Sequence, residues 1–273
     1  MLKKFLLGSM TALVLAACGG EGSPAASGAA PAANASGSLI ERINNKGTIT
    51  VGTEGTYAPF TYHDKSGKLT GYDVEVVRAV AEKLGVTVEF KETQWDAMMA
   101  GLKAGRFDVV ANQVALTSPE RQATFDKSEP YSWSGPVLIA RNDSSITSVE
   151  EIAGKKAAQS LTSNYGERAT AAKAEIVSVD GLAQSLMLIE QKRAEVTLND
   201  ELAILDYLKK NPNAGVKIVW TAPADEKVGA GLIVNKGNGE ALAKFSEAMK
   251  ELQADGTLKK LGEQFFGKDI SVK

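Results

Sequence analysis

The segment Asn112–Arg121, NQVALTSPER, runs from an apolar stretch into Ser118–Pro119, a serine and proline suited to cap and open a helix. It ends in an arginine. A guanidinium just past the carboxyl end of a strand has two readings. It is a solvated first-turn residue, or a socket that grips a carboxylate through two parallel hydrogen bonds. Asp200 closes EVTLND and is either the N-cap of the helix that follows or an acceptor for an ammonium group. One arginine and one aspartate on opposed units could hold both ends of a zwitterion. Other groups fall at predicted strand ends and helix starts: Glu54 and Tyr57 in GTEGTYAPF, Trp95 in TQWDAMM, Gln113, and Ser163 with Asn164 in SLTSNYGE. Trp95 is core or a stacking face; Tyr57 caps a loop or lines a site.

Support for catalysis is poor. His63, the single histidine, sits in the turn-like YHDKSGK and reads as an exposed turn residue. No His/Cys set has zinc-ligand spacing, no phosphate loop is present, and no nucleophile elbow is visible. The 33 acidic residues leave paired carboxylates open. No metal and no cofactor are expected.

The elements that must position these groups follow an α/β pattern. TITVGT (48–53), VTVEF (86–90) and FDVVAN (107–112) read as strands. Between them, DVEVVRAVAEKL and WDAMMAGLK place Val74, Val77, Val80 and Leu84, then Met98, Met99 and Leu102, on helix faces, stopped by Gly85 and Gly105. This β-α-β-α-β order predicts a mostly parallel sheet covered by helices. After Pro130 the pattern restarts: GPVLIAR, KKAAQS, EVTLND, VKIVW and GAGLIVNKG as strands, TSVEEIAG as a short capped helix, and two amphipathic helices at the end. Two α/β units facing one another make a cleft, and ligands of such sheets sit at the carboxyl ends of strands.

At 273 residues the chain has room for one large or two modest domains. A net charge of −2 and 6% aromatic residues give no broad attraction to nucleic acid and no base-stacking platform. Residues 1–17 read as a signal segment: Lys3 and Lys4, then the apolar run Phe5–Ala17. The run ends in LAAC, which resembles the cleavage and lipidation site of bacterial lipoproteins, with Cys18 as the lipidated residue. Cys18 is the sole cysteine, so no intrachain disulfide can form. Loss of residues 1–17 takes two lysines and no acid, moving the charge from −2 to −4. Residues 18–38, rich in Gly, Ala, Ser and Pro, read as a flexible tether.

From about Leu39 to Gly267 the chain resembles the polar amino-acid solute-binding proteins of bacterial ABC importers (periplasmic binding protein type II fold). The stretches that carry the resemblance are GTEGTYAPFTY, GKLTGYDVEVVRAVAEKLG, WDAMMAGLKAGRFDVVANQVALTSPER, DKSEPYSWSG, LTSNYGE and LQADGTLKKLGEQFFG. The resemblance implies an α/β fold of two lobes, each a mostly parallel sheet flanked by helices, joined by two crossing strands near Ser134–Ala140 and Val228–Val234. It assigns residues 39–132 plus 228–273 to lobe 1 and 133–227 to lobe 2. It implies that Arg121 grips an α-carboxylate with Ser118 or Thr117 beside it. The backbone at Ser163 would meet the same carboxylate, and Asp200 the α-ammonium, aided by the Gln113 carbonyl. Tyr57 and Trp95 would sandwich the ligand side chain, with Glu54 near its end. Thr162 stands where the family places glycine. The combination TYAPF, ANQV and SLTSNYGE is most similar to the cystine-binding branch; cysteine, glutamine or another polar amino acid are the alternatives. Implied partners are a small amino acid, an ABC permease in the inner membrane, and a bacterial membrane reached through the lipid anchor. The implied place is periplasmic or at the cell surface, with no nucleic acid and a monomeric chain. A competing reading is a secreted dehydratase-like enzyme on the same fold.

Overall fold

The computed structural model describes residues 37–273. Cys18, the signal segment and nearly all of the tether lie outside the described residues. The body opens on helix Leu39–Lys46, where Ser38 and Glu41 form a reciprocal capping box and Gly47, at φ 64°, ends the helix.

Two five-stranded sheets follow. The first runs, in spatial order, Thr87–Glu92, Thr48–Thr53, Val109–Val110, Ile233–Asn235 and Phe125–Lys127. The first three are parallel and Ile233–Asn235 is antiparallel to both of its neighbours. The second runs Glu175–Ser178, Lys156–Gln159, Val196–Asp200, Pro136–Arg141 and Val216–Thr221. Here Pro136–Arg141 is the antiparallel member. Each sheet thus has one reversed strand in an otherwise parallel set.

Side-chain alternation explains the layers. Along Pro136–Arg141, Val137 and Ile139 join one buried cluster with Leu186 and Ile189, while Leu138 and Ala140 join another with Ile152 and Val196. Both faces of this strand are covered, as a sheet packed between helices requires. Thr87–Glu92 has a burial pattern that alternates and then becomes exposed, the mark of an edge strand. In the first lobe, Tyr72 packs its ring against Phe265 and Phe266 of the helix Thr257–Phe266, with centroids 6.4 and 5.5 Å apart. The last helix therefore returns to the sheet built from the start of the body.

Two expectations are corrected. The crossing strands are shorter than 134–140 and 228–234: Ser132–Ser134 pairs antiparallel with Val228–Ala230, while the flanking strands belong to the two large sheets. The break after Ala230 falls at Gly231, where a Cβ would lie 2.6 Å from Lys127 Cγ and 2.9 Å from the Ser128 carbonyl oxygen. Only glycine lets the chain pass this close, and the apolar run GAGLIVN conceals the bend. The segment TSVEEIAG forms a single 3₁₀ turn, Glu150–Ile152. Glu151 there turns back to accept from the Thr147 N–H at 2.7 Å rather than supporting further turns.

Candidate functional site

A cavity lies between the two sheets. Glu54, Tyr57, Trp95 and Gln113 line it from the first lobe, Ser163 and Asn164 from the second. Glu54 follows strand Thr48–Thr53 and is held by Asn112, which accepts from its N–H at 2.8 Å and donates to its carboxylate at 2.7 Å. Burial raises the Glu54 pKa, the Asn112 bond opposes this, and Asp96 adds repulsion. The Tyr57 hydroxyl crosses to Asn199 Oδ1 at 2.7 Å. Trp95 begins the helix Trp95–Lys103, and its buried indole N–H has no hydrogen-bond partner. Gln113 has a left-handed backbone, φ 52°, and its amide oxygen accepts from Ser132 Oγ at 2.7 Å. Ser163 caps the helix Asn164–Ala171, accepting from the Gly166 N–H at 3.0 Å and donating to the Ser160 carbonyl at 3.0 Å.

The other four predicted residues lie elsewhere. Arg121 is buried; it donates to the carbonyls of Ala115 and Thr162, and its guanidinium carbon lies 5.5 Å from the Trp95 ring centroid. It lines a neighbouring groove of about 410 Å³ with Ser118, Asp96 and Thr162. Burial pulls its pKa below the usual value while Glu167 and Glu120 hold it up. Ser118 is the N-cap of helix Pro119–Thr124, accepting from the Arg121 N–H at 3.4 Å. Thr117 is exposed and lines neither space. Asp200 is buried as the N-cap of helix Glu201–Lys210, accepting from the Leu202 N–H and Ser134 Oγ, both at 2.8 Å. Its second oxygen accepts from the Tyr165 hydroxyl at 3.3 Å, and Tyr165 lines the cavity. Burial pushes its carboxyl up to about 6 against the Ser134 and Leu202 bonds.

The sequence reading missed Asn112, Gln159, Tyr165, Ser185 and Asn199 in the cavity wall. Gln159 and Asn199 sit at strand ends, the signal that marked the others. Ser185 lies in the helix Leu182–Glu190, where no local pattern separates a wall residue from a core one. His63 ends a short strand and stands 3.2 Å from Glu92. Among the described residues no group of three His, Cys, Asp or Glu side chains is placed to hold a metal ion.

The lobes touch around the cavity. Asp96 of the first accepts from the N–H groups of Leu161 and Thr162 at 3.2 and 2.9 Å and from Thr162 Oγ at 2.8 Å. Gln94 donates to Asp180 at 3.2 Å. Thr162 is not among the residues with positive φ, so its side chain meets no backbone penalty. The space measures about 50 Å³, room for a few waters, and is partly open to solvent.

Residues 49–268 match the model of the bacterial extracellular solute-binding proteins, family 3. A probable amino-acid ABC transporter-binding protein of Haemophilus influenzae is 53% identical over 86% of this chain and 91% of its own. The L-cystine-binding protein TcyA of Bacillus subtilis is 49% identical over 86% of this chain and 87% of its own. A solved structure of the L-cystine solute receptor of Neisseria gonorrhoeae, unliganded and open, is 85% identical over 87% of this chain and 100% of its own, with a TM-score of 0.60. From its fold, its interlobe cavity and these matches, the chain belongs to the bacterial extracellular solute-binding proteins, family 3.

Proposed function

We propose that this chain is a lipid-anchored extracytoplasmic receptor that captures L-cystine and delivers it, by hinge closure, to an ABC importer. The observation that carries the ligand is the 85% identity to the L-cystine receptor. The cavity chemistry supports it: a zwitterion with a second zwitterionic end needs acceptors, donors and aromatic faces together. Glu54, Gln113, Asn199 and the indole N–H of Trp95 supply the first two, and Tyr57 and Trp95 the third. Asp200 takes the α-ammonium from behind Tyr165. Arg121 leaves the Thr162 carbonyl for the α-carboxylate, joined by Ser118 and the backbone of Ser163. Lobe 1 comprises residues 39–132 and 228–273, lobe 2 residues 133–227, hinged at the pair Ser132–Ser134 and Val228–Ala230. The ligand biases the equilibrium toward the closed form because both lobes touch it only there. Cys18 carries the anchor, the permease lies in the inner membrane, and the receptor works as a monomer without chemistry on its cargo.

Arg121→Ala tests the site. Loss of a buried charged fork is expected to weaken L-cystine binding by about 100-fold or more with the fold intact by circular dichroism. Unchanged affinity would remove Arg121 from the site. Recovery of unaltered L-cystine after prolonged incubation separates a receptor from an enzyme.

A further inference from the structure

Asp73 lies in the first turn of helix Tyr72–Leu84, where a carboxylate usually faces water, yet it is fully buried. One oxygen, Oδ2, accepts from the Gln113 N–H and from the Tyr131 hydroxyl, the latter at 2.9 Å. The other, Oδ1, has no partner. Gln113 lines the cavity and holds the left-handed backbone that residues with a Cβ rarely adopt. Tyr131 directly precedes the hinge strand Ser132–Ser134, and Ser132 Oγ returns to the Gln113 side chain. Gln113 is therefore gripped at two points, its N–H by Asp73 and its amide by the hinge strand.

We propose that Asp73 is a positioning residue for ligand capture: its carboxylate locks the left-handed backbone of Gln113 in the cavity wall and ties that wall, through Tyr131, to the hinge. The proposal rests on the reading of the cavity as the ligand site. Without the strap, the Gln113 N–H is left unpaired in the interior and its backbone is free to leave a sparsely populated conformation. The Gln113 carbonyl and side chain then turn from the wall. A role confined to the helix end predicts something different, a loss of stability with no selective loss of binding. The strap needs an acceptor oxygen rather than a charge. Burial already pushes the Asp73 carboxyl up to about 7, against the Gln113 and Tyr131 bonds that lower it. An amide is accordingly expected to replace it.

The test is titration of wild type, D73N, D73A, Q113G and D73A/Q113G with L-cystine, beside amide hydrogen exchange at Gln113 in the ligand-free protein. D73N is expected to bind within about threefold of wild type, and D73A at least about tenfold more weakly while remaining folded. Glycine takes a positive φ without a strap, so D73A/Q113G should bind within about twofold of Q113G. Additive losses overturn the proposal, and so does a folded D73N that loses binding tenfold. If D73A does not fold, D73N and the Gln113 amide decide. That amide should be protected in wild type and in D73N, and exchange at the rate of a free amide overturns the strap. If wild type does not bind L-cystine, the ligand assignment fails separately. Faster Gln113 exchange in D73A than in wild type then supports the strap, and equal exchange refutes it.

Discussion

Thr162 is joined to Asp96 across the cleft by two hydrogen bonds, from its N–H at 2.9 Å and its hydroxyl at 2.8 Å, while its carbonyl accepts from Arg121. One residue of the second lobe is thus held through donor and acceptor by two residues of the first. The two Asp96 bonds exist only when the lobes meet, so their strength adds to closure and to apparent affinity.

Weakening the clasp should weaken capture without unfolding either lobe. D96N removes the charge from three hydrogen bonds, each about 1–3 kcal/mol at most. Its expected effect on affinity is about tenfold. T162G loses the hydroxyl bond alone, and about fivefold is expected. Calorimetry measures both, and solution scattering should show the ligand-free variants more extended than wild type. Equal affinities across the three proteins would show that the clasp adds nothing to closure.

Affinity should fall as pH falls through about 6. Burial raises the Asp200 carboxyl to about 6 in the ligand-free protein, so below that pH it is protonated. A ligand ammonium favours the ionised form, and binding must then expel the proton. Titrations at pH 5 and pH 7.5, in buffers of different ionisation heat, report both the affinity change and the proton release. A Kd independent of pH, with no proton release, would detach Asp200 from the ammonium.

Stability should move in the opposite sense at Asp73. Its folded-state pKa, about 7, is above the value near 3.9 of the unfolded chain. Between those limits the folded protein keeps a proton that the unfolded chain has released, so this contribution is present below about pH 4 and lost as pH rises through 7. Melting of wild type and D73N should agree near pH 4, with D73N the more stable at pH 8. A constant difference across the range would mean that Asp73 does not titrate there.

At the bend that follows strand Val228–Ala230, Gly231→Ala places a methyl against Lys127 and the Ser128 carbonyl. Overpacking of this kind costs about 1–3 kcal/mol, or roughly 3–10 °C in Tm for a body of this size. Thermal melts check it; an unchanged Tm would show that the neighbouring chain yields freely.

The sequence made some of this legible and hid the rest for physical reasons. Alternation and punctuation identified most strands and helices: Gly85 does end its helix in the left-handed region, and Ser118–Pro119 does open one. The extent of the crossing strands was misjudged because an apolar run records burial and not the bend that Gly231 permits. Thr147–Gly154 carried helix signals but too few residues to outlast one turn. At the cavity, strand-end residues such as Glu54 and Gln113 were visible by position. Asp73 was not, because an acidic residue in a first turn is the ordinary partner of a helix dipole. Nothing in GYDVEV says that this one is buried against a residue 40 positions later.

The most direct measurement is a calorimetric titration of the protein with L-cystine, with reduced L-cysteine and L-glutamine titrated in parallel. The account predicts tight one-to-one binding of L-cystine and binding of the other two weaker by at least about 100-fold, since each leaves the acceptors for the second zwitterionic end unpaired. Absence of heat with L-cystine, or equal affinity for all three, would contradict it.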